Sequence, residues 1–202
     1  MKVTIDGREH ETAGAITILE AARELDIAIP TLCHNDYLIP YGGCRVCLVE
    51  AAFESAPDKT KLVPACTTMI ADGMIVKTDT ERVAKSRQFI IEMLLSRAPE
   101  AEEIKDLARD LGVPVDNPDK LDVVGDYLLN RAPKRFNTQC ILCGQCVRVC
   151  AEVTERHALS FTKRGIKKVV HAPFDKIAET CIGCGSCAYV CPTNTITVEE
   201  VT

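Results

Sequence analysis

Apolar and polar positions along the first eighty residues follow short strand-like stretches interrupted by one helical stretch. Lys2–Ile5 and an extended piece near His10–Thr12 flank Asp6-Gly7, a hairpin turn pair. Thr17-Ile18-Leu19-Glu20 is a capping box, and Leu19, Ala22 and Leu25 share one face of the helix that follows. Val46–Ala51, Leu62–Pro64 and Met74–Lys77 predict further strands. The polar stretch from Phe53 to Lys61 predicts an extended hairpin loop. Hairpin, helix and later strands together predict a small α+β domain of the β-grasp kind over residues 1–79.

Spacing turns helical over residues 80–136. Glu81–Arg97 predicts a long helix with Val83, Phe89, Ile90, Met93 and Leu94 on its apolar face, ended by Pro99. Phe89 and Met93 are expected in a core. Glu100–Leu111 predicts a second helix on Ile104, Leu107, Ala108 and Leu111, closed by Gly112 and Pro114. Lys120–Asn130 predicts a third. Beyond residue 137, Leu159–Thr162 and Lys167–His171 predict two strands joined at Lys163-Arg164-Gly165. The basic tip of that hairpin is read first as a solvated turn, with docking of an acidic partner as the alternative.

Composition narrows the class. The chain has 202 residues, with five Phe, four Tyr and no Trp, so each small domain builds a weak core and needs a staple. It has twelve cysteines. Residues 1–7 turn polar at once, which gives no secretory segment, and no apolar run spans a membrane. The expectation is a cytoplasmic protein, where thiols stay reduced and cysteines bind metal. Net charge is −5, and thiolate-bound clusters add to it, which disfavours nucleic acid as a partner.

The cysteines divide into three groups of four. Cys140, Cys143, Cys146 and Cys150 read C-x2-C-x2-C-x3-C, and Cys181, Cys184, Cys187 and Cys191 repeat it. This is the spacing of two-cluster bacterial ferredoxins, in which the fourth cysteine ligates the other cluster. The prediction is one [4Fe–4S] cluster on Cys140, Cys143, Cys146 and Cys191, and another on Cys181, Cys184, Cys187 and Cys150. Gly144, Gly183 and Gly185 relieve crowding in these loops. Gly183-x-Gly185-x-x-Ala188 formally matches a dinucleotide fingerprint, but no strand precedes it.

The first group is more open. Ten residues separate Cys33 from Cys44, and eighteen separate Cys47 from Cys66. Four cysteines suit a [2Fe–2S] cluster, with a structural zinc site as the alternative. Gly42 and Gly43 leave room for close backbone approach. His34 is read as a neighbour of the site rather than a ligand, and His10, His157 and His171 as ordinary residues.

Cys33-His34, Gly43-Cys44-Arg45-Val46-Cys47-Leu48-Val49-Glu50 and Pro64-Ala65-Cys66 resemble the N-terminal domain of the large iron–sulfur subunit of respiratory complex I. They are similar also to the diaphorase small subunit of NAD-linked hydrogenases and to the opening domains of [FeFe]-hydrogenases. The C-terminal part, 137–202, resembles the two-[4Fe–4S] ferredoxin-like domain of the same proteins. That family commonly carries a further cluster with one His and three Cys ligands in the middle region. Here no Cys or His lies between Cys66 and Cys140, so residues 80–136 are read as a helical connector without ligands.

The resemblance implies an electron-relay subunit of a flavin-containing NAD(P)-linked oxidoreductase complex of hydrogenase, formate dehydrogenase or bifurcating type. It implies a flavoprotein partner that handles NAD(P)(H), and a second catalytic subunit or a soluble ferredoxin. No catalytic residue is predicted, and no substrate site belongs to the chain itself. The alternatives are a free-standing polyferredoxin carrier and, from another class, a redox sensor or zinc-stapled interaction module.

Overall fold

The computed structural model describes residues 1–134, 138–172 and 179–198. By contacts the chain divides into two units: 1–32 with 40–90, and 33–39 with 91–202. The sequence-predicted boundary at 136/137 lies outside the described residues. No helix among the described residues is long and apolar enough to cross a membrane.

The first unit is built on a five-stranded mixed sheet with α1 (Ile18–Glu24) packed on it. β1 (Lys2–Ile5) and β2 (Arg8–Glu11) form the opening hairpin, and Asp6 and Gly7 take the left-handed conformation at its turn. α1 starts at the predicted capping box. Glu20 N–H donates to Thr17 Oγ1 at 3.2 Å and Thr17 N–H to Glu20 Oε2 at 2.6 Å. β3 (Leu48–Phe53), β4 (Ala56–Pro64) and β5 (Met74–Lys77) complete a sheet of order β2-β1-β5-β3-β4. β1 and β5 run parallel and the other pairs antiparallel. The expected α+β class and β-grasp arrangement are what the sheet and its helix form. Val3, Ile5, Val49 and Val76 of the sheet bury against Ile18, Leu19 and Ala22 of α1.

The stretch expected to be a loop, Phe53–Lys61, instead continues the hairpin as most of β4. It is an edge strand, and Pro57, Asp58, Lys59 and Lys61 are exposed, so this polar part gave no apolar alternation to read. Pro57 is tolerated there because an edge strand can lack a donor.

α2 (Glu81–Arg97) has its predicted bounds, but its buried face is different. Val83, Arg87, Ile91 and Leu95 are buried, while Phe89 and Met93 are about half exposed, 47% and 51%. The expectation that Phe89 and Met93 belong to a core is therefore corrected. The inward stripe runs every fourth residue, and the charged Arg87 in it disguised the periodicity.

In the second unit, Ile91 and Leu95 at the end of α2 and Ile104 and Ala108 of α3 (Glu102–Asp110) are all buried. The third predicted helix is broken up. It comprises a 3-10 turn (Pro118–Lys120), α4 (Val123–Asp126) and a π turn (Tyr127–Arg131). Asp122 caps α4, accepting from Gly125 N–H at 2.7 Å. α5 (Gln145–Glu152), the hairpin β6 (Ser160–Thr162) and β7 (Val169–His171), and α6 (Ser186–Tyr189) follow. At the hairpin, Lys168 Nζ stands 3.9 Å from the centre of the Phe161 ring.

Candidate iron–sulfur centres

All twelve cysteines are free thiols. In the first unit, the β3/β4 hairpin brings two of them together. Leu48 pairs with Pro64, so Cys47, just before β3, and Cys66, just after β4, meet beyond that pair. Ala65 N–H donates to the Cys47 carbonyl at 3.0 Å, and Cys47 Sγ lies 3.4 Å from Cys66 Sγ. Both are 1% exposed. Cys44 is half-buried, on a loop that turns through left-handed Gly42 and Arg45. A Cβ on Gly42 would sit 3.0 Å from Thr67 Cγ2, so glycine there lets the loop close on the residue after Cys66.

Cys33 is also buried, but its segment, 33–39, belongs to the second unit. There Ile39 N–H donates to Glu152 Oε2 at 2.9 Å, Arg148 donates to the Ile39 carbonyl, and Arg148 Nε meets Glu152 Oε1 at 3.1 Å. The His34 side chain is largely covered, with Nε2 3.0 Å from Asp36 Oδ1.

The two C-terminal runs share one backbone. In the first, Leu142 and Gly144 are left-handed, and α5 then carries Cys146 and Cys150. In the second, Gly183 and Gly185 are left-handed at the matching positions, and α6 carries Cys187. Left-handed turns on either side of the second cysteine coil the chain so that successive thiols converge. Backbone amides aim at the sulfurs: Leu142 N–H at Cys140 Sγ (3.4 Å), Ala158 N–H at Cys150 Sγ and Thr195 N–H at Cys191 Sγ (both 3.3 Å).

Charge effects run between particular thiols of the two runs. Burial first, with Cys191, Cys140 and Cys33 adding to it, outweighs the Gln145 amide and pushes Cys143 up to about 11. Burial first, then Cys143, Cys140 and Cys191, together push Cys146 up to about 12 against the Val147 amide. Cys187 is raised by burial first, then by Cys184 and Cys150. Cys191 responds oppositely. Burial raises it, but the amides of Thr193 and Thr195 and the Thr193 hydroxyl outweigh that and hold it down. Exposed Cys184 is lowered by the Ser186 hydroxyl. Thiols so placed must give up protons to iron, and hydrogen bonds of this kind stabilise sulfur-borne negative charge.

Among the described residues, no three His, Cys, Asp or Glu side chains sit close enough to share one metal ion. A cluster spreads its thiolates over several irons around a wider body. The donor set, four soft thiolates with converging amides, fits iron–sulfur chemistry.

Sequence reasoning missed Leu142, whose left-handed turn no glycine announced, and the Thr193 and Thr195 donors. It also missed the Arg148–Glu152 hold on Ile39. A charged pair at i,i+4 on α5 was the only available signal.

Residues 1–81 match the family described as a 2Fe-2S iron–sulfur cluster binding domain, and 139–195 match the 4Fe-4S dicluster domain. These assign one [2Fe–2S] and two [4Fe–4S] clusters. The NADP-reducing hydrogenase subunit HndD of Solidesulfovibrio fructosivorans is 33% identical over 99% of this chain and 36% of its own. The mitochondrial 78 kDa subunit of the NADH-ubiquinone oxidoreductase of Candida albicans is 38% identical over 49% of this chain and 13% of its own. The chain thus spans about a third or less of the length of these relatives. A crystal structure of an NAD+-reducing [NiFe]-hydrogenase superposes with a TM-score of 0.66, at 26% identity, over 85% of this chain and 74% of that one. The chain is an iron–sulfur protein built from these two domain types, and it resembles iron–sulfur subunits of NAD(P)-linked hydrogenases and of complex I.

Proposed function

We propose that the chain is the electron-relay subunit of an NAD(P)-linked oxidoreductase complex. Cys33, Cys44, Cys47 and Cys66 hold the [2Fe–2S] cluster. Cys140, Cys143, Cys146 and Cys191 hold one [4Fe–4S] cluster, and Cys181, Cys184, Cys187 and Cys150 hold the other. The organisation is a [2Fe–2S] domain (1–79), a connector (80–136) and a dicluster domain (137–202). The partners are a flavoprotein handling NAD(P)(H) and a second catalytic subunit or a soluble ferredoxin, in the cytoplasm.

The observation that carries this reading is which thiols act on one another across the two runs. Cys191 acts on Cys143 and Cys146, and Cys150 acts on Cys187. Each fourth cysteine has the other run's thiols as neighbours, which supports two closely set clusters. When bound, the clusters accept and release single electrons. The chain's own residues do the rest. Thiolates fix the irons, amides of Leu142, Ala158 and Thr195 stabilise charge on sulfur, and burial of Cys33, Cys47 and Cys66 excludes water. The exposed Phe89 and Met93 of α2 favour a subunit over a free carrier.

Native purification with iron analysis tests the reading. The expected result is about ten irons per chain, with a flavoprotein that copurifies. Zinc with little iron would end it, and a fully loaded chain that runs alone would favour the free polyferredoxin carrier.

A further inference from the structure

The first unit buries a cation that the relay reading leaves unexplained. Arg87 lies on the inward face of α2 and is 7% exposed. Its Nε and Nη2 donate to the Leu48 carbonyl at 3.2 and 2.8 Å. Leu48 needs that donor. Its carbonyl faces away from β4, because Cys47 and Ala65 form the hydrogen-bonded pair next to Leu48 and Pro64, and it lies beyond the last β3/β5 pair, Glu50 with Lys77. Leu48 also directly follows Cys47.

A hydrogen bond to a carbonyl explains the donors but not the charge. Among the described residues, no carboxylate lies within ion-pair distance of Arg87. Asp79 exerts the largest charge effect on it, then Cys47, then Asp6. Asp79 is exposed to solvent. The Asp6 carboxylate is occupied by Thr78, which donates its N–H at 2.8 Å and its hydroxyl at 2.5 Å. Cys47 is different. It is 1% exposed and touches Cys66, so its interaction with the guanidinium is poorly screened. A buried cation needs a buried anion, and an iron-bound thiolate at Cys47 is the anion at hand.

Resting on the relay reading, we propose that Arg87 is the internal counter-charge of the N-terminal cluster and holds its reduction potential up. Reduction adds one negative charge to a site whose thiolates share a dry environment with the guanidinium. The attraction is larger for the reduced form, and net charge is one of the levers that set cluster potentials. Arg87 is a positioning residue for Leu48 and, through its charge, a tuning residue for the cluster.

An EPR-monitored redox titration of the loaded full-length protein separates the two roles. Arg87→Gln keeps a donor for Leu48 and drops the charge. Arg87→Met fills the volume with neither. Arg87→Lys keeps the charge. Arg82→Gln, at an exposed arginine paired with Glu50 at 3.1 Å, is the surface control. Both neutral variants should shift the one-electron equilibrium about tenfold toward the oxidised form, a fall of roughly 59 mV. Arg87→Lys and the Arg82→Gln control should stay near the parent value. Neutral variants that keep their cluster at the parent potential would overturn the proposal. Loss of the cluster from both neutral variants, with Arg87→Lys retaining it at the parent potential, supports the charge. Loss from all three assigns Arg87 a purely structural role and also overturns it. Absence of a [2Fe–2S] signal from the parent protein would instead be a failure of the relay reading.

Discussion

The two C-terminal cysteine runs are the same motif in different surroundings. Each residue of the second lies forty-one positions after its counterpart, Cys181 after Cys140. Left-handed turns fall at matching places, Leu142 with Gly183 and Gly144 with Gly185. Yet Ile141 is 6% exposed and its counterpart Ile182 is 59% exposed. Arg148 is held by Glu152 and Ile39, whereas its counterpart Tyr189 is 89% exposed. Cys143 and Cys146 are raised by burial, while Cys184 is exposed and lowered. Spacing sets the loop, and neighbouring elements set the thiol chemistry. The first run has those neighbours: Arg97 of α2 donates to the Cys140 carbonyl at 3.0 Å, and Thr138, just before the run, donates to Glu100 at 2.5 Å.

The largest effect comes from breaking the exchange of fourth ligands. Under the proposed crossing, Cys150→Ser removes a thiolate from the exposed run's cluster although it lies in the buried run. Cys191→Ser does the converse. Each should lose about four of about ten irons, and EPR should show a different [4Fe–4S] signal surviving in each. If Cys150→Ser spared the cluster on Cys181, Cys184 and Cys187 and lost the other, each run would ligate its own cluster and the crossing would be wrong.

How much of this was legible follows from what each residue announces. Cysteine spacing announces itself, because thiolates around a cluster tolerate few separations, and the capping box before α1 did likewise. Arg87 did not, because a charged residue in a helical stripe reads as solvated until its partners are known. Leu142 did not, because leucine carries no preference for the left-handed turn it occupies. The placement of 33–39 depends on Ile39 meeting Glu152, 113 residues later, and local pattern holds nothing of that. Of β4 only Leu62–Pro64 was found; Ala56–Lys61 was missed because most of its residues are exposed on an edge strand and show no apolar alternation.

The hold on Ile39 is the second way to sharpen the contrast, since four-residue α6 has no equivalent of the Arg148–Glu152 pair. Glu152→Gln should cost about 1–2 kcal/mol, the scale of a charge-assisted hydrogen bond. It should raise amide exchange at Ile39 about tenfold, with the α6 amides unchanged. The same contact carries a pH signature. Burial raises the Glu152 carboxyl, but the Ile39 amide and Arg148 outweigh it, leaving the folded value below the ordinary one. A depressed carboxyl contributes stability that is present above its unfolded value and lost as pH falls through the folded value. Protection at Ile39 should therefore decline on acidification below about pH 4.5, and Glu152→Gln should abolish that decline. A pH profile that is identical in the variant would place the titrating group elsewhere.

The smallest effect tests whether the two loops are equivalent in backbone alone. Gly183 has φ +67, and a Cβ built there meets nothing within 4 Å. Gly183→Ala therefore adds no clash with protein atoms, and its backbone cost is that of holding an L-residue in the left-handed region, about 1 kcal/mol. Leu142 already bears this cost at φ 56. Leu142→Gly should recover part of it, less the entropy that glycine loses on folding, and so be near neutral. Thermal unfolding of the loaded protein should show a small loss for Gly183→Ala and little change for Leu142→Gly. Equal losses in both would mean that burial of Leu142, not backbone conformation, governs the first loop. The likeness of the two runs would then stop at their cysteines.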